Sequence, residues 1–165
     1  MTLRVYDTRS REKREFSPIN EGRVSMYVCG ITPYSPSHLG HARCYLAFDV
    51  VHRWLEASGY KVDYVQNFTD IDDKILNISE SEGVDYSVVS NRNIEDYFEV
   101  MDAMNVRRAD HYPRVTETIP EIIDMISNLQ EKGHAYVGGD GVYFEIDTAP
   151  EKYGQLTGQT LEMVR

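Results

Sequence analysis

Apolar residues follow two periods along the first part of the chain, one typical of strands and one typical of helices. Residues 24–29 are β-branched and aromatic and predict a buried strand, and residues 61–67 predict a second strand. Between them, apolar residues recur at helical spacing over residues 38–58 and predict a helix of about six turns. These apolar positions are Leu39, Ala42, Tyr45, Leu46, Phe48, Val51, Trp54 and Leu55.

The order strand, helix, strand predicts a crossover between two parallel strands, the first unit of an α/β doubly wound sheet. Ser37 is predicted to cap the start of the helix, and Gly59 sits where a left-handed C-terminal residue belongs. Ligands of such folds bind beyond the carboxyl ends of the strands. We therefore expect residues 30–41 and residues 67–70 to face each other across one crevice.

Weaker patterns outline the rest of the chain. Helices are predicted to begin at Asp70, to cover residues 86–105, and to begin near Thr118 and end at Gly133. Residues 3–6 predict a short strand, residues 9–14 a solvated basic loop, and residues 135–137 with 142–146 a hairpin.

Composition narrows the class of protein. The chain has 165 residues, 41% hydrophobic and 27% charged, the balance of a soluble globular protein. It has no apolar run long enough to span a membrane and no signal-peptide core, so we expect a cytoplasmic protein with no membrane partner. A net charge of -10 argues against holding polyanions by bulk attraction, and two cysteines do not make a disulfide framework.

Residues 29–41, called the corner below, carry the densest chemistry. His38 and His41 lie three residues apart at a predicted helix N-terminus, where unpaired backbone N–H groups favour phosphate. Both histidines could donate to phosphate oxygens as charge develops in a transition state. Gly40 leaves space for a flat group such as a nucleotide base. The alternative is a pair of solvent-exposed capping histidines.

The two thiols are ambiguous from spacing alone. Cys29 ends the first strand and could bind Zn²⁺, but there is no Cys-x-x-Cys or His-x-x-x-His pattern to complete a site. Spacing therefore favours a buried structural thiol for Cys29, and Cys44, inside the helical pattern, is predicted to be a core thiol.

Residues 67–74 offer further candidates. Thr69 is expected to face the crevice. Asp70, Asp72 and Asp73 could bind Mg²⁺ or ribose hydroxyls, or could cap the helix that follows. Lys74 is a possible phosphate ligand, with a surface ion pair as the alternative.

Four motifs in order, residues 27–34, 38–43, 67–74 and 132–136, strongly resemble the cysteinyl-tRNA synthetase family. The resemblance covers essentially the whole chain. It implies the first half of a class I synthetase Rossmann-like doubly wound parallel sheet over residues 1–114. It further implies the start of the connective insertion over residues 115–165.

The resemblance also implies an activity. The family joins cysteine to ATP, with Mg²⁺, releases pyrophosphate, and passes the cysteinyl group to tRNA(Cys). His38 and His41 match its catalytic signature histidines, and the ATP contacts fall on Gly30, Thr32, His38, Gly40 and His41. Leu39 stands where the family often has isoleucine, a mild change.

Cys29 matches a family zinc ligand, which replaces the structural-thiol interpretation. That zinc binds the substrate thiolate, since a soft metal prefers sulfur to a hydroxyl. Thr69 matches a contact to the bound amino acid.

Parts of the family pattern are expected beyond Arg165: the other zinc ligands, the Lys-Met-Ser-Lys-Ser loop and the anticodon-reading domain that makes most tRNA contacts. We therefore expect a truncated chain with exposed apolar residues that cannot activate cysteine alone. Two alternatives remain open: a ligase that joins cysteine to an amino sugar, and a non-catalytic truncated paralogue that binds nucleotide or a partner.

Overall fold

A computed structural model describes residues 3–164 of the chain. The chain divides into two compact units, one formed by residues 18–118 and the other by residues 1–17 together with 119–165. Each unit is described by itself. The sequence-based division at residue 114 into a catalytic half and an insertion stays a prediction.

The unit of residues 18–118 is built around the expected strand, helix and strand. β3 (Arg23–Val28) and β4 (Lys61–Gln66) pair in parallel, from Arg23 opposite Lys61 to Val28 opposite Gln66. α1 (Leu39–Ala57) connects them, and Gly59 follows it with a φ of 90°. The predicted parallel unit and its glycine stop are confirmed.

A third extended segment, which the sequence did not predict, runs parallel beside β4. Bridges join Val65 to His111 and Phe68 to Arg114, and Phe68 donates its N–H to the Pro113 carbonyl at 2.9 Å. β4 therefore lies between β3 and this segment. Pro113 has no N–H to donate to a β-ladder, so the sequence of this segment does not have the pattern of a strand.

α1 does not bury the stripe that its apolar residues suggest. Its buried positions are Ala42, Tyr45, Asp49, His52 and Leu55. Leu39, in contrast, is 85% exposed and Trp54 57% exposed. The desolvation penalty of the buried Asp49 carboxylate is offset by two hydrogen bonds. It accepts from Arg53 Nε at 2.7 Å and from the Arg107 N–H at 3.1 Å. The helix was predicted correctly, but only Ala42, Tyr45 and Leu55 of its apolar positions are buried.

α3 (Tyr86–Ala103) packs into the core beside the strands, and α2 (Asp73–Glu82) packs against α3. Phe68, 1% exposed, is the centre of the core, stacked on Tyr112 and edge-on to Tyr97. Gln66 links strand to helix because its Nε2 donates to the Tyr97 hydroxyl at 2.7 Å. Buried polar groups on the sheet are thus paired with α3.

Among residues 3–164, the second unit contains two antiparallel strand pairs, two α-helices and a short 3-10 helix (Ile146–Thr148). β1 (Arg4–Asp7) pairs with β2 (Glu12–Glu15), and β5 (Ala135–Val137) pairs with β6 (Val142–Phe144). α4 (Ile119–Glu131) precedes β5, and α5 (Leu161–Val164) comes last. Residues 9–14 were predicted to be a solvated loop. This prediction is wrong for residues 12–14, which belong to β2. Among the described helices, none is long and apolar enough to cross a membrane.

Candidate active site

The first turn of α1 is closed by its own two histidines. The His38 Nδ1 accepts from the Gly40 N–H at 3.1 Å, and the His41 Nδ1 accepts from the His38 N–H at 3.4 Å. The imidazole rings stack, with centroids 3.8 Å apart and planes 19° apart. The two rings lie on one face, as predicted, and His38 is the N-cap.

This arrangement corrects three expectations. Ser37 does not cap the helix; its hydroxyl is buried and has no hydrogen-bond partner among the described residues. The N–H groups of His38 and Gly40 are not free, since the histidine side chains accept from both. The space expected beside Gly40 is filled by the His38 ring, whose Cε1 would lie 2.8 Å from a Cβ at that position.

The cap also defines which ring nitrogen carries the proton. A backbone N–H is only a donor, so Nδ1 of His38 and of His41 must each offer a lone pair. A neutral imidazole that accepts at Nδ1 carries its proton on Nε2. Burial, and then the neighbouring His38 ring, lower the pKa of His41 from its usual value. The site thus presents Nε2–H donors beside a helix N-terminus.

The corner and the end of β4 are in direct contact. The Asn67 Oδ1 accepts from the Gly30 N–H at 2.8 Å and from the Tyr27 hydroxyl at 2.9 Å. The Thr69 N–H donates to the Ile31 carbonyl at 3.1 Å. The two predicted segments therefore meet at the carboxyl ends of the parallel strands.

Gly30 is required by this contact. A Cβ built on it would lie 1.5 Å from the carbonyl oxygen of Asn67. Only a residue without a side chain lets the two strand ends approach so closely. The sequence indicated Gly30 through its place at a strand end. It did not indicate that the Asn67 side chain would bind Gly30 and Tyr27.

Both thiols are exposed. Cys29 lies at the end of β3, where its carbonyl accepts from the Tyr45 hydroxyl at 3.2 Å. Cys44 is also exposed, so its assignment to the core was wrong. A thiolate sulfur is the type of ligand that a soft metal prefers. Within residues 3–164, no three His, Cys, Asp or Glu side chains are grouped to hold a metal ion.

The acidic residues after β4 have structural partners. Asp70 is buried, and its carboxylate accepts from the Thr116 N–H at 3.1 Å and from the Thr116 hydroxyl at 2.6 Å. Asp72 caps α2 by accepting from the Lys74 N–H at 2.9 Å, so the capping alternative is correct for it. Asp73 is the first residue of that helix.

Lys74 makes a contact that differs from the expected ion pair. Its Nζ lies 4.8 Å from the centroid of the Tyr34 ring, a cation–π distance. This contact joins α2 to the corner. α3 also contacts the corner, through Asn93 and Asp96, which bind backbone groups of residues 33 and 37. The sequence analysis missed this pair, because half of the residues of α3 are polar or charged and the helix pattern does not single these two out.

Comparison with known families and proteins agrees with the geometry. Residues 15–165 match the family described as tRNA synthetases class I (C) catalytic domain. The cysteine–tRNA ligase of Pyrococcus horikoshii is 54% identical over 165 residues, which are 100% of this chain and 34% of that protein. The cysteine–tRNA ligase of Dehalococcoides mccartyi is 47% identical over 162 residues, 98% of this chain and 35% of that protein.

Solved structures support the fold. The methionyl-tRNA synthetase of Mycobacterium tuberculosis in complex with methionyl-adenylate superposes with a TM-score of 0.62 at 20% identity. It covers 69% of this chain, which corresponds to 23% of that protein. The α/β Rossmann-like expectation is confirmed. The chain spans about a third of the length of the curated relatives it matches.

Proposed function

The chain belongs to the family of class I (C) tRNA synthetase catalytic domains, and on that premise we propose that it forms one wall of a cysteine-activating site. In the reaction, a carboxylate oxygen of cysteine attacks the α-phosphorus of ATP, pyrophosphate leaves, and cysteinyl-adenylate forms. The cysteinyl group then passes to the terminal ribose of tRNA(Cys). The complete reaction is assigned to the whole ligase, of which this chain is the amino-terminal catalytic part.

One observation carries the proposal: the histidine turn and the end of β4 meet at one edge of a parallel sheet. The Gly30–Asn67 contact brings them together at 2.8 Å. That edge is where nucleotides bind in sheets of this class. The Nε2–H groups of His38 and His41 are the donors offered there to phosphate oxygens.

We assign ATP contacts to Gly30, Thr32, His38, Gly40 and His41. Because the Gly30 N–H already donates to Asn67 and the His38 N–H to His41, the imidazole Nε2–H groups are the mobile donors. When phosphate arrives, a ring can leave its backbone partner and expose that N–H as a second donor. Mg²⁺ accompanies ATP as part of the substrate.

Cysteine recognition is assigned to Cys29 and Thr69. The exposed Cys29 sulfur supplies one ligand for a zinc ion, and residues outside this chain supply the others. Bound zinc would supply a soft Lewis acid that prefers the substrate's sulfur to a serine hydroxyl. Thr69 is held against the corner through its N–H, which supports its assignment as a contact to the amino acid.

Three further assignments belong to the same proposal. Residues 1–114 form the amino-terminal half of the catalytic domain and residues 115–165 begin the connective insertion. The protein acts in the cytoplasm. The 165-residue chain alone does not activate cysteine, because it offers a single candidate zinc ligand and part of the ATP contacts.

The test is a chimera of the Pyrococcus horikoshii ligase in which this chain replaces the aligned segment. Cysteine-dependent ATP–pyrophosphate exchange is measured for the chimera and for His38→Asn and His41→Asn. Loss of a donor to the transition state should lower the rate about 10²- to 10³-fold in each. His111→Asn, an exposed histidine away from the corner, is the matched control and should retain the rate. Unchanged exchange in both corner variants would contradict the assignment.

A further inference from the structure

We propose that Asn93 and Asp96 of α3 are positioning residues that hold the loop before α1 and thereby set the orientation of His38. Both bind backbone groups of the corner. The catalytic consequence rests on the function proposed above, whereas the effect on the histidine geometry does not.

Asp96 binds the residue that precedes the N-cap. Its Oδ2 accepts from the Ser37 N–H at 2.7 Å, a short, charge-assisted hydrogen bond. His38 follows with an extended backbone, φ -130° and ψ 171°, and its side chain turns back onto the helix. The direction of that backbone decides where the imidazole lies. The Asp96 carboxylate holds the residue just before His38 and so acts directly on this backbone.

Asn93 binds the other end of the same loop. Its Nδ2 donates to the Pro33 carbonyl at 3.1 Å and to the Val89 carbonyl at 2.9 Å, and the residue is 3% exposed. Asn93 and Asp96 are three residues apart and so lie on one face of α3. One side chain donates to the start of the loop and the other accepts from its end.

The loop needs such external support. It contains two prolines, Pro33 and Pro36, which have no N–H to donate. Within the loop, the Tyr34 N–H donates to the Thr32 carbonyl at 2.9 Å, a very local contact. Without partners on α3, the Pro33 carbonyl and the Ser37 N–H would lose their hydrogen bonds.

Asp96 also supplies charge that α1 lacks. The first turn of α1 contains no acidic residue, although negative charge there is favourable to a helix. A carboxylate inside that turn would repel the phosphates of ATP. Asp96, placed on another helix and bound to the Ser37 N–H, stabilises the helix start without adding a carboxylate to the turn itself.

The first arm of the test uses the 165-residue protein labelled with ¹⁵N. The Ser37 amide resonance and the His38 and His41 imidazole cross-peaks are compared among wild type, Asp96→Ala, Asp96→Asn and Glu99→Ala. We expect wild type and Glu99→Ala to show Nε2–H tautomers. Asp96→Ala should shift the Ser37 amide upfield and mix the His38 tautomers. Asp96→Asn, which keeps an acceptor oxygen, should lie between them.

The second arm measures ATP–pyrophosphate exchange in the chimera. Misplacement of a catalytic group by about 1 Å costs about 10²-fold, so kcat of Asp96→Ala should fall about 10- to 100-fold while KM for ATP changes less than about threefold. Asp96→Asn should recover part of kcat, and Glu99→Ala should keep all of it. A variant that merely unfolds would instead keep activity in proportion to its folded fraction.

The outcomes separate the two proposals. If Asp96→Ala leaves the Ser37 and His38 resonances as in wild type, the positioning role is overturned. If the resonances move but kcat is unchanged, the loop is held without consequence for catalysis, and the positioning role is also overturned. If the unsubstituted chimera is folded and shows no exchange, the proposed function fails, and the resonances alone decide the orientation of His38. If Asp96→Ala does not fold, Asp96→Asn is judged by the same criteria.

Discussion

Replacing Gly30 with alanine tests the contact that brings the two halves of the candidate site together. A Cβ there would lie 1.5 Å from the Asn67 carbonyl oxygen, whereas real Cβ atoms essentially never come within 3.0 Å of a neighbour. The strand ends would have to separate by the difference, about 1.5 Å. Neither atom belongs to a flexible side chain, so the backbone itself must move.

The cost follows from two terms. Forcing extra volume into a packed contact costs about 1–3 kcal/mol. Separation also weakens the hydrogen bond from the Gly30 N–H to Asn67 Oδ1, worth about 1 kcal/mol. We expect Gly30→Ala to lower the free energy of unfolding by about 3 kcal/mol.

The assay is urea unfolding followed by the fluorescence of Trp54, the single tryptophan, which lies in the same unit as Gly30. Gly139→Ala is the control, because a Cβ there meets no atom within 4 Å. It should change the free energy by less than about 0.5 kcal/mol. A loss below about 1 kcal/mol for Gly30→Ala, with an unchanged urea dependence, would refute the geometry.

Three further predictions concern the core, the histidine turn and the thiols. Tyr97→Phe removes the acceptor of the buried Gln66 amide and should destabilise the protein by about 1–3 kcal/mol in urea unfolding; no loss would contradict the buried pairing. Because burial lowers the pKa of His41, the unfolded chain takes up its proton first as the pH falls below 6.5, so stability should fall on acidification. His41→Gln, which can still cap without titrating, should reduce that fall, and an identical pH profile would count against a lowered pKa of His41. Finally, Cys29 and Cys44 should both react with a thiol reagent in the native protein, and a protected Cys44 would restore the core assignment.

The parallel unit could be predicted because local patterns specify it. Residues 24–29 and 61–67 have strand character, and the helix between them ends at a glycine with positive φ. Chain order alone then fixes the parallel pairing. The strand-like segment beside β4 was missed because Pro113 breaks the pattern while its carbonyl still accepts a hydrogen bond.

The buried face of α1 could not be predicted because burial depends on partners distant in sequence. Asp49 is buried because residue 107, far along the chain, donates to it. Trp54 is exposed although it is the largest apolar side chain of the helix. A period identifies a helix, but only tertiary contacts decide which stripe faces the sheet.

In the candidate site, too, local spacing predicts some features and contacts distant in sequence decide others. The spacing of His38 and His41 predicts their shared face, and the stacked rings confirm it. The same residues also serve as the cap that was expected of Ser37, because histidine nitrogens can accept backbone N–H groups. Asn67, Asn93 and Asp96 act on backbone atoms of residues 30–37, and such long-range contacts leave little trace in local sequence.

The central claim is that this chain forms a working wall of a cysteine-activating site. The most direct test is the rate of cysteine-dependent ATP–pyrophosphate exchange by the Pyrococcus horikoshii ligase in which this chain replaces the aligned segment. We expect exchange within about tenfold of the parent ligase with cysteine, and background exchange with serine. A folded chimera that shows no exchange with cysteine, beside an active parent, would contradict the claim.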